Sequence, residues 1–197
     1  MNIKVCNIIL IILIIALVAV ISIIAIKRIN NKIKEEELTS IVKDVKEKIE
    51  ENKNTADNKS EVKMEYKGYN VVGIIKIPKI NIEYPIIDKT NDETMKYSIT
   101  KFWGNNVNDI GNFSMAGHNY FDNTMFSNTN KLNIGDYIQM TGMDGKTVEY
   151  NVFDKYVIDP NDVECVKCVD ENTREITLIT CINGRKNRLI IKARENI

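Results

Sequence analysis

Cys181 closes a run of β-branched and aliphatic residues, Ile176 to Thr180, that reads as a strand delivering a thiol at its end. Asn183-Gly184 is a turn signal, and Arg188 to Ala193 reads as the returning strand. With the hairpin loop centred on Gly184-Arg185, Cys181 and Arg188 face each other at the roughly 5 Å Cβ spacing of cross-strand neighbours. A two-residue Asn183-Gly184 turn would instead set Lys186 opposite Cys181, and Arg185 is another available cation. The Leu-Ile-Ile-Lys-Ala pattern that follows favours Arg188. His118, the one histidine of the chain, comes after another expected strand, Asn112 to Gly117. A thiol, a guanidinium and an imidazole suit acyl transfer through a covalent intermediate. A thiolate attacks an amide better than water does and divides the reaction into two steps. A free cysteine, with a pKa of about 8.5, is mostly protonated at neutral pH, so a neighbouring cation must favour the thiolate. His118 can supply that charge or protonate the departing amine. Arg188, always charged, can hold substrate and stabilise the tetrahedral oxyanion. Thr180, beside the nucleophile, can orient substrate through its hydroxyl or backbone.

Thr177-Leu178-Ile179-Thr180-Cys181 resembles the Thr-Leu-x-Thr-Cys motif of the sortases, bacterial cysteine transpeptidases that attach proteins to the cell wall or build pili. Ala116-Gly117-His118 corresponds to the setting of the family's catalytic histidine, and Arg188 to its essential arginine. Gly73-Ile-Ile-Lys-Ile-Pro78-Lys-Ile80 looks like its first barrel strand. The resemblance covers roughly residues 68–197. It implies a closed β-barrel with Cys181, His118 and Arg188 as catalytic residues. The implied reaction cleaves a C-terminal sorting signal of the Leu-Pro-x-Thr-Gly type through a thioacyl enzyme and transfers the acyl group to an amine of the cell wall or a pilin. The implied partners are surface-protein precursors that carry that signal. The connection from Cys181 to Arg188 is shorter than in many sortases, where this loop shapes substrate access, so the substrate class stays open. Alternatives are a thiol peptidase that passes the acyl-enzyme to water, and a non-catalytic sortase-like barrel, with or without bound zinc. The intact Cys, His and Arg set speaks against the latter.

Cys165-Val166-Lys167-Cys168 has the spacing of a redox or zinc pair. Nothing around it resembles the βαβ setting of a thioredoxin motif. A zinc site would need two more ligands, and the remaining Cys and His candidates are His118 and Cys181. The pair is therefore read as two thiols in the loop before the catalytic strand, with a local disulfide as the alternative in an oxidising exterior. No metal or cofactor is expected, and no calcium-loop pattern is present.

These groups need a scaffold and an address. The formal net charge is zero, which excludes the strongly basic footprint of a nucleic-acid binder. Residues 8–26 form an apolar run with Ser22 as its mild interruption. At about 1.5 Å per residue such a helix spans roughly the 30 Å hydrocarbon layer. Lys27-Arg28-Ile29-Asn30 is a poor cleavage site, so the run is expected to be an uncleaved anchor behind a short tail, 1–7. Cys6, at the membrane edge, is read as an ordinary apolar residue, with acylation as the alternative. The basic residues after the span would, by the positive-inside tendency, leave the bulk of the chain in the cytoplasm. The sortase resemblance implies the opposite, a single-pass protein with its catalytic domain outside, and that orientation is the one expected.

Residues 27–66 read as a charged juxtamembrane helix and linker. Ile29, Ile33, Ile41, Val45 and Ile49 stand at fourfold spacing and point to an amphipathic helix serving as a stalk, with packing against the catalytic domain as the alternative. Asn52 to Ser60 reads as linker. From residue 67 to 197 the pattern becomes short apolar runs between turn residues, with strands expected at 69–77, 80–87, 111–116, 137–141, 147–158, 176–180 and 188–193. Residues 94–100 and 125–131 read as short helical turns. The fold class is thus all-β dominated, an antiparallel barrel or sandwich by pattern, which the resemblance sharpens to the closed sortase barrel.

Overall fold

The computed structural model describes residues 3–53, 62–120, 124–168 and 172–196. Most of the expected 52–60 linker and the Cys6 side chain lie outside the described residues. The chain divides into two compact units, Met1–Glu37 and Leu38–Ile197. In the first, helix α1 (Ile3–Lys53) begins with apolar side chains exposed on every face, and this stretch is long and apolar enough to cross a membrane.

Within the second unit α1 changes character. Leu38, Val42, Val45 and Ile49 recur at helical spacing and are buried in the same core as the barrel. Burial of each is worth roughly 1.5–3 kcal/mol relative to exposure. Lys46 Nζ adds a 2.7 Å ion pair to Glu83. The expected fourfold ladder is therefore only partly realised. Val45 and Ile49 are buried and Ile41 partly so, whereas Ile29 and Ile33 are exposed. The end of the expected stalk belongs to the barrel's unit.

The strands follow as β1 (Glu65–Tyr66), β2 (Tyr69–Ile77) and β3 (Ile82–Ile87), then helix α2 (Thr94–Tyr97), β4 (Ile99–Trp103) and β5 (Gly111–Ala116). After these come β6 (Tyr137–Gly142), β7 (Thr147–Ile158), β8 (Arg174–Ile182) and β9 (Asn187–Glu195). The order is β1-β2-β3-β4-β5-β8-β9-β7-β6, and a β2–β6 pairing closes β2 to β9 into a barrel. Two pairings, β3 with β4 and β5 with β8, are parallel, a departure from the wholly antiparallel pattern expected of the short strands.

β4 was hidden in the sequence because 94–100 reads as helix. The helix ends at Tyr97, where Ser98 turns extended and its hydroxyl donates to the Pro85 carbonyl at 2.6 Å. The β-branched Ile99 and Thr100 then pair with Ile86 and Ile87. Of 125–131, only Thr129–Lys131 forms a 3-10 helix, and Pro78–Ile80 makes a 3-10 turn that delays the start of β3.

Alternation along β5, β8 and β9 sorts their side chains to two faces. Phe113, Met115, Ile176, Leu178, Leu189, Ile191 and Ala193 point into the barrel core. On the other face the register stacks rows: Cys181 opposite Arg188, Ile179 opposite Ile190, Thr177 opposite Lys192, and Glu175 opposite Arg194. The β7–β8 connection covers this face, packing Cys165 and Val166 with Ile179 and Ile190.

Candidate active site

The parallel pairing of β5 with β8 sends both strands out at the same end of the barrel. Ala116 is registered with Ile179, so two residues later each strand has delivered its chemical group, His118 from β5 and Cys181 from β8. The ladder continues past the end of β5: the Gly117 N–H donates to the Ile179 carbonyl at 3.1 Å. One residue beyond His118, Asn119 Nδ2 donates to the Cys181 carbonyl at 2.8 Å. His118 is thus bracketed by two bonds to the strand that carries the thiol. Its ring lies 4.8 Å from that of Tyr120, and its carbonyl accepts from the Phe126 N–H at 3.0 Å. Gly117 has a steric reason to be glycine, because a Cβ there would stand 2.7 Å from both Ile99 and Phe126.

Arg188 arrives from the other side. β9 is antiparallel to β8 and Cys181 faces Arg188, so the register centred on Gly184-Arg185 is the one adopted and Lys186 stays in the loop. Asn183, Gly184 and Arg185 have φ of 51°, 63° and 75° in succession. Gly184 takes this left-handed turn freely, whereas Arg185 stands there at a cost of roughly 1–2 kcal/mol. Arg188 Nη1 donates to the carbonyls of Arg185 and Asn187 at 3.1 and 3.3 Å. Its Nε and Nη2 make no hydrogen bond among the described residues, which leaves a planar edge for a ligand.

These groups border a cavity of about 240 Å³. Ala116, Gly117, Ile179 and Thr180 line it beneath Cys181, His118 and Arg188. Ile158, Pro160, Asp162, Val163 and Cys165 from the β7–β8 side line it too, as do Thr90, Met95 and Phe102. The lining is mostly apolar, with Asp162 and Arg188 as its charged side chains. A larger groove of about 380 Å³ lies elsewhere, around Asn70, Asp88 and Asp144, and holds none of these chemical groups.

Thr180 lines the cavity, but its side chain is buried and its hydroxyl donates to the Gly117 carbonyl at 2.8 Å. That bond joins the two strand ends and uses the hydroxyl proton. Cys165 and Cys181 are free thiols, with Cys165 buried. Burial, with Asp162 nearby, pushes the Cys165 thiol up from its ordinary range despite the opposing charge of Lys192. Among the described residues no three His, Cys, Asp or Glu groups converge as a metal would need. Sequence reading missed Asn119 and the structural part of Thr177, whose hydroxyl lies 3.0 Å from Asn112 Oδ1. Neither residue type signals its role without the register.

Comparison with known proteins gives a consistent result. A family model described as the sortase domain matches residues 75–196. Sortase A of Listeria monocytogenes is 32% identical over 114 residues, which are 56% of this chain and 49% of that one. Sortase D of Bacillus subtilis is 27% identical over 110 residues, covering 55% of this chain and 53% of that one. The chain therefore spans about half the length of the curated relatives it matches. Among solved structures, a Clostridium perfringens sortase D5 transpeptidase superposes with a TM-score of 0.66 at 27% identity, covering 80% of this chain and 99% of that one. Sortase A from Corynebacterium diphtheriae gives 0.59 at 27% identity, over 66% and 62%.

Proposed function

The chain belongs to the sortase family, and from that premise we propose that it is a membrane-anchored cysteine transpeptidase acting on C-terminal sorting signals. The observation that carries the reading is that Cys181, its cross-strand partner Arg188 and His118, two residues past the β5–β8 ladder, line one mostly apolar cavity. The Cys181 thiolate attacks the carbonyl carbon of the scissile Thr–Gly amide in a Leu-Pro-x-Thr-Gly-like segment. The Arg188 edge left open by its loop bonds stabilises the oxyanion. His118, as imidazolium, protonates the departing amine, and a thioester to Cys181 remains. An incoming amine of the cell wall or of a pilin gives a proton to His118, attacks the thioester and releases Cys181 as thiolate. Thr180 and Asn119 act as positioning residues, fixing the spacing of the two strand ends through Gly117 and Cys181.

Residues 8–26 hold the enzyme in the cell membrane, with the barrel outside the cell where sorting signals and cell-wall amines meet. The substrates are surface-protein precursors. The test uses the full chain in detergent micelles with peptides randomised around a Leu-Pro-x-Thr-Gly core, with and without oligoglycine or diaminopimelate amines. Peptide-amine products that require Cys181 are expected. Cleavage in which every acyl group goes to water, with all amines tried, would replace the transpeptidase with a thiol peptidase.

A further inference from the structure

The β7–β8 side of the cavity is fastened to the barrel from beneath. A 3-10 helix, Glu164–Val166, ends in carbonyls that turn toward the outer face of β5, β8 and β9. Three consecutive carbonyls there each meet a buried donor. Asn112 Nδ2 on β5 donates to Cys165 O at 3.3 Å and to Val166 O at 2.8 Å. Thr177 Oγ1 on β8 lies 3.3 Å from Cys165 O and 3.0 Å from Asn112 Oδ1. Lys192 Nζ on β9 donates to Lys167 O at 2.7 Å. Thr177 and Lys192 are cross-strand partners, two rows below Cys181 and Arg188.

Lys192 is only 4% exposed, and Glu175, 1% exposed, lies 3.6 Å from its ammonium while also pairing with Arg194. A buried ammonium is costly, and an apolar side chain would pack there without that cost. What lysine supplies and an apolar residue would not is a donor aimed at the loop backbone. The loop it holds carries Cys165 and Val163 against the apolar side of the cavity.

We propose that Asn112, Thr177 and Lys192 form a latch that fixes the β7–β8 side of the cavity and so sets which aliphatic side chains of the peptide the site accepts. The three are positioning residues for specificity, and this rests on the reading that the cavity takes the acyl-donor peptide. With the latch closed, the distance between Ile179 on the barrel and Val163 on the loop is fixed, and side chains are sorted by size. With the latch open, the wall yields, discrimination falls and the buried Cys165 thiol becomes accessible.

The experiment combines two readouts on the full chain in detergent. Time-resolved alkylation by iodoacetamide, followed cysteine by cysteine by mass spectrometry, reports the latch without requiring activity. Steady-state kinetics on peptides that differ by one methylene in an aliphatic side chain reports specificity. The variants are Asn112→Leu, which leaves the ion cluster intact, and Lys192→Met. The control is Ser114→Ala, from the same row, since the buried Ser114 hydroxyl has no hydrogen-bond partner among the described residues. Expected in both latch variants is at least a tenfold faster alkylation of Cys165 with Cys181 within about twofold. A higher KM is expected with kcat largely kept, and the preference for one peptide over its homologue, of order 10–200-fold for a methylene-sized distinction, should fall toward one. Ser114→Ala should match the parent in both readouts. Should Lys192→Met fail to fold once Glu175 loses a counter-charge, Asn112→Leu carries the test.

Folded Asn112→Leu with Cys165 still protected would overturn the latch. Cys165 exposed but peptide preference unchanged would overturn its role in specificity. A parent chain that acylates from no peptide would overturn the transpeptidase reading and the specificity claim with it, while Cys165 protection would still decide whether the latch exists.

Discussion

Cys181 and Cys165 line the same cavity from two different elements, one at the end of a barrel strand and the other in the loop that packs over it. Cys181 faces Arg188 across the ladder and shares its strand end with His118 through the Asn119 bond. Cys165 packs among Ile179 and Ile190, and burial and Asp162 together favour its neutral thiol. The contrast shows that a place in the cavity wall alone does not make a nucleophile. Strand register sets Arg188 opposite one thiol, while Ile179 and Ile190 pack around the other, and the proposed mechanism assigns the nucleophile on that difference.

The largest expected effect separates the two thiols outright. Cys181→Ala should lower transpeptidation by at least about 10³-fold, as loss of a covalent nucleophile does. Cys165→Ala should stay within a few fold of the parent, and an equal loss in both would erase the distinction. Next come the groups that set Cys181 apart. His118→Ala should cost about 10²–10⁴-fold, and Arg188→Ala about 10²–10³-fold in kcat/KM. Arg188→Lys should not restore the rate, because a lysine ammonium cannot hold the loop carbonyls and present a planar edge together.

A smaller effect tests the strand-end geometry. Thr180→Val removes the 2.8 Å bond to the Gly117 carbonyl, at a cost on the order of 1–3 kcal/mol for a buried acceptor left unsatisfied. The expected result is a lower midpoint in urea together with a drop in kcat larger than any rise in KM. The smallest effect concerns Cys165 at high pH. Its folded pKa is raised above the ordinary value of about 9, so above that pH the unfolded chain sheds a proton that the folded chain retains. Stability on this account is fully present below about pH 9 and is lost as pH rises further. Tyr156, pushed up to about 12 chiefly by burial, adds the same sign above pH 10. Urea midpoints measured from pH 8 to pH 10.5 should fall less steeply in Cys165→Ala than in the parent.

Much of the placement of the site could be read in the sequence, because local signals set it. The run ending in Cys181, the Asn183-Gly184 turn and the pattern after Arg188 together determine one hairpin and its register. His118 was approachable because its strand and its glycine are both local features. What pairs with what across the barrel was not legible. The parallel β5–β8 contact joins segments about 60 residues apart in the chain, and it is this contact that brings His118 to Cys181. β4 was lost because Met95, Lys96 and Tyr97 favour helix and only pairing with β3 makes Ile99 and Thr100 a strand. The dual nature of α1 was half legible. Its apolar run is uniform, but the burial of Leu38 and Val42 in place of Ile29 and Ile33 depends on a barrel surface that the sequence does not display. Thr180 shows a further limit: only the position of Gly117 reveals the bond that its hydroxyl makes between the strand ends.

The most direct test of the central claim is trapping of the covalent intermediate. The full chain would be mixed with a sorting-signal peptide in the absence of acceptor amines, quenched in acid, and mapped by mass spectrometry over Cys165, Cys168 and Cys181. The account predicts a peptide-acyl mass on Cys181 alone, lost within turnover time when an amine is added. An adduct on Cys165 or Cys168, or turnover with no thioacyl species on Cys181, would contradict it.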